Sequence, residues 1–306
     1  MKIYAVIVTY NAMRKSWIEK CLRSLQESTV PIIPIVIDNG SSDETGEFVP
    51  SHFPEAIWLP QEKNLGFGQA NNVGLRYALE HEADYVLLLN QDATIGSKAI
   101  EEMLPHCDDK AIISPIHLNG EGTKLDNGFR YCLRQSCDEL LDDFLAKHHL
   151  KEVYSVPDSH VPAACWFLTR KIIETIGGFN PLFFHYGEDE NYILRGKYHK
   201  VGMRICPSAT MCHDRNEHGN INTFNRHLSR RLLLTAATNI NFSFCRFLLE
   251  MVRILKDNYT VLLPQHQYRI GSGFMDVVWI ITHAWKIRCS RNKEKKAGAT
   301  WLYPDA

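Results

Sequence analysis

No CxxC pair occurs among the nine cysteines of this 306-residue chain. With the common dithiol and zinc-ribbon spacings excluded, an odd count at this length reads as reduced cytosolic thiols and not as a disulfide framework. Charge of one sign is also lacking: the formal net charge is −1, so no global electrostatic case for nucleic-acid binding exists. No window offers the roughly 18 uninterrupted apolar residues of a membrane-spanning helix. The opening "MKIYAVIVTYN" has a short apolar run without a small-residue cleavage site, so no signal peptide is expected and the protein is expected to stay in the cytoplasm. Glycine is missing from "TYNAMRKSW" after the first apolar run, where a dinucleotide-binding GxGxxG would have to stand. "GFGQAN" at 66–71 follows a later strand and ends in Asn, and a Walker A loop is absent.

Hydrophobic residues make up 45% and charged residues 23% of the chain, an ordinary globular balance with length for one large domain or a domain plus an appendage. Residues 1–115 alternate apolar runs (Ile3–Val8, Ile32–Ile37, Ala56–Leu59, Tyr85–Leu89, Ala111–Ser114) with helical patterns (Lys15–Gln26, Asp43–Phe48, Gly68–His81, Ser97–His106). Near-continuous apolar strands separated by helices predict an α/β fold whose parallel sheet is covered on both faces. Ser41-Ser42-Asp43-Glu44 fits a capping box opening the second helix. Residues 116–160 break the rhythm and read as an excursion carrying a loop or helix. Order resumes at Ala163–Thr169, with a helix expected near Glu188–Lys200 and a strand near Met203–Cys206. Beyond about Asn222 the pattern is helical and basic, so the chain divides into 1–220 and a helical C-terminal region, 221–306.

In an open parallel sheet, ligands collect outside the carboxyl ends of the strands. Three runs end there in polar groups: Thr9-Tyr10-Asn11, Asp38-Asn39-Gly40 and Asn90-Gln91-Asp92. Any one of these is ordinary turn chemistry, but three on one rim point to a ligand. Without a glycine loop, a divalent cation on Asp92 is the economical way to neutralise a diphosphate.

The motifs "AVIVTYN", "VIDNGSSDET", "NLGFGQANNVGL", "LLLNQDATI", "GGFNPLFFHYGEDENYILR" and "MCHD" stand in this order. Over roughly residues 1–220 the chain resembles family 2 glycosyltransferases of the A-type fold, in particular a rhamnosyltransferase-like branch. The resemblance implies a mostly parallel Rossmann-like sheet flanked by helices, with the helical C-terminal extension beyond it. Thr9, Tyr10 and Asn11 fall where that family contacts the nucleoside, and Asp38 where a carboxylate holds the base or ribose. Asn64, Gly66 and Asn72 match the next nucleotide-supporting motif; Gly66 and Gly68 fit a plain strand-to-helix turn equally well, as Asp43 fits a first helical turn.

Asn90-Gln91-Asp92 sits at the family's DXD motif with its first acid replaced by an amide. Asn90 offers a neutral carbonyl and Asp92 the full charge suited to a hard cation, Mn²⁺ or Mg²⁺, so weak metal retention without nucleotide is expected. His213 matches a family histidine that can complete the cation site, and an imidazole ligand favours Mn²⁺. By resemblance Asp189 is the base that deprotonates an acceptor hydroxyl and Glu188 its supporting neighbour. Adjacent acids disfavour each other's ionisation and raise at least one pKa towards a useful base, although acids at a helix start also suit its dipole. Arg195 either pairs with an acid or lies solvated on the helix face. Trp166 or Tyr186 is expected to stack on a sugar acceptor, while Phe179 and Phe183 are assigned to the core.

Residues 274–287, "FMDVVWIITHAWKI", lead into "KIRCSRNKEKK", with six basic residues and one acid, Glu294. Two readings stand side by side: an anionic membrane surface contacted by an apolar helix and its basic cluster, or a packing helix at a homodimer contact with a solvated tail. The expected activity is inverting transfer of a sugar, rhamnose among the candidates, from a nucleotide-diphosphate sugar donor to a saccharide or lipid-linked acceptor. A nucleotidyltransferase, or a nucleotide-sugar-binding module without catalysis, is the alternative.

Overall fold

The computed structural model describes residues 1–157, 160–215, 221–258, 260 and 270–303, with the side chains of 221–229 and 270–273 left aside. Nine strands form one sheet: β1 (Ile3–Thr9), β2 (Ile33–Asp38), β3 (Ile57–Pro60), β4 (Tyr85–Leu89), β5 (Ala93–Ile95), β6 (Ala111–Asn119), β7 (Tyr154–Ser155), β8 (Cys165–Thr169) and β9 (Gly202–His213). Their spatial order is β3-β2-β1-β4-β8-β6-β9-β5, with β7 also on β9. The helices in the described chain are α1 (Trp17–Gln26), α2 (Thr45–His52), α3 (Phe67–Glu80), α4 (Ala99–Met103), α5 (Asn127–Ser136), α6 (Asp138–Leu145), α7 (Arg170–Ile176), α8 (Glu188–Tyr198), α9 (Ile221–Thr238), α10 (Phe244–Asp257), α11 (Ile270–Thr282) and α12 (Ala284–Glu294).

The near-continuous apolar runs of β1, β2 and β4 follow from burial on both faces. Tyr4, Val6, Ile35, Ile37, Val86 and Leu88 pack on one side with Leu75 and Leu79 of α3. Ile3, Ala5, Ile7, Val36, Leu87 and Leu89 pack on the other with Ile18 and Leu22 of α1. The parity switch at each successive residue is the two-residue period of a strand, and full burial of each large side chain contributes about 1.5–3 kcal/mol. Gly74 lets α3 lie close: a Cβ there would stand 2.5 Å from Val6 Cγ1.

The sheet is mixed and mostly parallel, as expected. β3, β2, β1 and β4 are parallel neighbours, but β8 runs antiparallel to both β4 and β6. Two reversals return β6, and with it the parallel β9, to the direction of β1–β4; β5, β7 and β8 oppose them. By strand direction the sheet is therefore predominantly parallel within an α/β fold. Two local corrections accompany it. The expected capping box is absent: α2 starts at Thr45 with no side-chain bond at Glu44, and Asp43 instead accepts from the backbone N–H groups of Thr45 and Met13. α1 starts at Trp17 and not at Lys15, because Lys15 and Ser16 adopt left-handed backbone angles.

Candidate active site

The rim at the carboxyl ends of β1, β2 and β4 is a hydrogen-bonded network. Thr9 Oγ1 donates to Asp38 Oδ1 at 3.2 Å, and Ser41 adds its backbone N–H and hydroxyl to the same carboxylate. Asn11 receives the Ser41 hydroxyl as acceptor of its N–H and caps the N–H of Ser42. Gln91 accepts from Tyr10 N at 2.8 Å and returns a bond to Tyr10 O at 3.3 Å, so the exits of β1 and β4 are clamped together. Tyr10 is 48% exposed. Asn64 Oδ1 accepts from Asn39 Nδ2 and Gly66 N, which closes the loop after β3 over the β2 exit.

Two residues expected on the nucleotide are committed elsewhere. Asn72 is buried and spans Phe179, accepting from its N–H at 2.6 Å and donating to its carbonyl at 2.8 Å; both ends of the amide are spent on the turn before α8. Gly66, at φ 82°, lies against the carbonyl of Phe184, which a Cβ would approach to 2.1 Å. The close backbone that this glycine permits is that of the protein itself.

The antiparallel pairing of β5 with β9 sets Ala93 opposite His213, and this register brings Asp92 beside the imidazole. Asp92 Oδ1 lies 3.2 Å from His213 Nε2, and Asn90 Nδ2 lies 3.4 Å from the same nitrogen. Asn90 Oδ1 is buried without a hydrogen-bond partner. An orphaned carbonyl oxygen, a carboxylate and an imidazole at one spot form a donor set that fits a divalent cation. They do not make a complete protein cage, and among the described residues no group of three or more His, Cys, Asp and Glu could hold a metal. Behind the imidazole, Asp126 Oδ2 stands 3.9 Å from His213 Nδ1 and is held by Arg215 Nε at 2.7 Å.

The acidic pair opens α8 after Gly187, whose φ is 93°. It stands on the same rim: α3 begins just beyond β3, and a Cβ on Gly68 at that end would lie 3.5 Å from Glu188 Cβ. The two acids differ. Glu188 is 4% exposed and its Oε2 has no partner; burial and then the charge of Asp189 raise its pKa. The Asp189 side chain is 22% exposed and its Oδ2 lies 3.5 Å from His160 Nε2, while Oδ1 accepts from Glu190 N at 2.8 Å. Burial works against its ionisation, but the His160 cation and hydrogen bond outweigh burial and hold the Asp189 pKa below the usual range. The repulsion expected from sequence thus acts on Glu188, the enclosed member. Asp189 remains the ionised, reachable one.

Among the aromatics, Trp166 is fully buried, donates its indole N–H to Val161 O at 2.9 Å and stacks towards Phe179. That corrects its assignment to the acceptor, since no face of the ring is open to a sugar. Phe179 and Phe183 are core, as expected. Tyr186 remains exposed at φ 67°, with the Arg231 guanidinium 5.8 Å from its ring centre. Arg195 is not on a solvated face: it is buried and donates to the carbonyls of Ile176 and Gly178. Sequence reasoning missed His160, Asp126 and Arg215. Asp126 caps α5 through Phe129 N, a local signal that names a helix start and not a partner of His213.

The profile described as glycosyl transferase family 2 matches residues 4–177. The low-salt glycan biosynthesis hexosyltransferase Agl10 of Haloferax volcanii is 28% identical over 185 residues, which cover 59% of this chain and 58% of that protein. The dTDP-rhamnosyl transferase RfbF of Shigella flexneri is 24% identical over 218 residues, 69% of this chain and 68% of its own. The mannosyltransferase PcManGT of Pyrobaculum calidifontis, solved with GDP-Man and Mn²⁺, shares the fold at a TM-score of 0.56 and 14% identity, over 98% of this chain and 84% of that one. The chain spans less than two thirds of the hexosyltransferase's length and just over two thirds of the rhamnosyl transferase's. With that profile matched over more than half of its residues, the chain belongs to glycosyl transferase family 2.

Proposed function

We propose that this protein transfers a hexosyl group, with rhamnose the first candidate, from a nucleoside-diphosphate sugar to an acceptor hydroxyl with inversion at the anomeric carbon. The observation that carries the reading is Asp189: an ionised, partly open carboxylate held by His160 on the rim that also bears Asp38 and Asp92. Asp189 receives the acceptor's proton as the hydroxyl oxygen attacks the anomeric carbon, and the nucleoside diphosphate departs from the opposite face. Tyr10 offers its exposed ring to the base, and Asp38, fixed by Thr9 and Ser41, accepts from a base or ribose donor. Asn11, Asn64 and Gln91 hold the loops of that pocket in place. Tyr186, beside α8, lines the acceptor side.

Asp92, His213 and Asn90 would hold a divalent cation, Mn²⁺ favoured over Mg²⁺ by the imidazole. Bound there, it would neutralise charge on the departing diphosphate. One acid and two neutral donors leave most of such an ion's shell to the nucleotide's own oxygens, so donor and metal bind together. The relatives' names, a hexosyltransferase and a dTDP-rhamnosyl transferase, support a dTDP-sugar as the first donor to try. A cell-surface polysaccharide or lipid-linked oligosaccharide is the matching acceptor class. We assign residues 1–220 to donor binding and catalysis and 221–306 to their support.

Asp189→Asn is the test. It removes the proton acceptor and keeps the shape, so kcat should fall by about 100-fold or more while thermal stabilisation by nucleotide sugar and Mn²⁺ persists. Turnover near the wild-type rate would take Asp189 out of the role.

A further inference from the structure

No helix among the described residues is long and apolar enough to cross a membrane, yet α11 and α12 carry an outward apolar stripe. Phe274, Ile281 and Trp285 are 70%, 66% and 74% exposed, and with Val278 they recur at four-, three- and four-residue steps, one face of a helix. The break between the two helices does not scramble this face. His283 N bonds to Trp279 O, and Ile287 N bonds to His283 O, so the four-residue ladder runs through the junction. The stripe extends for roughly 17 Å at 1.5 Å per residue.

The opposite face is locked down, so the stripe has no inward alternative. Asp276 is buried and accepts from Arg230 Nε at 2.9 Å. Ile280 and Ile287 pack with Leu233, Leu234 and Ala237 of α9. Arg291 donates to the carbonyls of Ala237, Asn239 and Phe242, and Glu294 accepts from Asn180 Nδ2. Charge gathers at one end: Lys286, Arg288, Lys293, Lys295 and Lys296 are exposed, whereas the one acid of α12, Glu294, is buried.

We propose that the α11–α12 stripe docks on an anionic bilayer surface, with Phe274, Ile281 and Trp285 entering the interface and Lys286 and Arg288 against lipid phosphates. The charge pattern selects this occupant. An anionic surface matches the exposed cations, whereas a second copy apposed through the same stripe would crowd two sets of them together. Trp at an apolar–polar boundary suits the headgroup level. The inference stands on this face alone and not on the transfer chemistry.

The test is co-sedimentation of the full chain with phosphatidylcholine vesicles, with and without phosphatidylglycerol. Wild type should pellet with the anionic vesicles and be released by salt. Lys286→Glu/Arg288→Glu should weaken partitioning by roughly fivefold or more per cation. Phe274→Ser/Trp285→Ser should abolish it, with the unfolding midpoint unchanged because these side chains face outward. The proposal is overturned if wild type fails to pellet or if the variants pellet like it. It is equally overturned if sedimentation velocity finds a dimer that Phe274→Ser/Trp285→Ser dissolves.

Discussion

At the scale of single residues, the informative arrangement is the unequal acidic pair. Glu188 and Asp189 are chain neighbours, but it is Asp189 that holds the direct contact with His160. His160→Gln removes the His160 cation, leaving burial opposed only by the Glu190 N–H bond and the charge of Arg231, so the Asp189 pKa should rise. If an ionised Asp189 is the working base, the acidic limb of the kcat/KM–pH profile should move up by about one to three pH units, with donor KM little changed. A profile superimposable on wild type would remove His160 from the site. Linkage follows the same signs. Stability from the lowered Asp189 is present above its unfolded value and is lost as pH falls through the folded one. The His160 pKa is raised: burial opposes the charged form, but Asp189 outweighs it. Its contribution is present below the ordinary imidazole value and is lost as pH rises through the folded one. Asp189, Asp92 and His213 each stand in a contiguous motif, so sequence alone can name them as candidates. His160 was not, since only the packing of the segment before β8 against α8 brings it there. Trp166 was misread for a related reason: a strand buried on both faces carries no pattern that says which aromatic meets solvent.

At the scale of elements, α3 couples the loop after β3 to the acidic turn. Its start touches Phe184 at Gly66, its second turn grips Phe179 through Asn72, and its middle seats on β1 at Gly74. Asn72→Ala leaves a buried N–H and a buried carbonyl of Phe179 unpaired, a cost of about 2–4 kcal/mol. Urea unfolding should register that loss while donor affinity of the folded enzyme is retained. Weakened donor binding at unchanged stability would return Asn72 to the nucleotide site. The elements themselves were readable, since buried runs and helical periods survive in sequence with boundary errors of a few residues. Strand direction was not. A fully buried strand shows the same apolar run whether its neighbour is parallel or antiparallel, so the reversal at β8 and the return of β5 and β7 onto β9 had no local signature.

At the scale of the whole molecule, a buried ion pair ties the C-terminal helices to α8. Arg195 Nε lies 3.5 Å from Glu294 Oε1, both side chains at or below 1% exposure. Glu294 also accepts from Asn180 Nδ2 and Trp301 Nε1, so α8, the turn before it and the segment after α12 meet on one carboxylate. From sequence, Glu294 was the single acid of a solvated basic tail; charge pattern alone does not reveal that a remote helix presents a buried arginine to it. Burial raises the Glu294 pKa against the pull of Arg195, Trp301 and Asn180, and burial likewise lowers that of Arg195, so the pair is held by geometry at a desolvation cost. Removing one partner is therefore worse than removing both. Glu294→Ala should destabilise by about 3–5 kcal/mol, and Glu294→Gln by less, because the amide keeps an acceptor for Asn180 and Trp301. Arg195→Met/Glu294→Leu should recover much of that loss. Chemical denaturation of the three variants checks the order, and a double variant less stable than Glu294→Ala would show that the pair stabilises the fold outright.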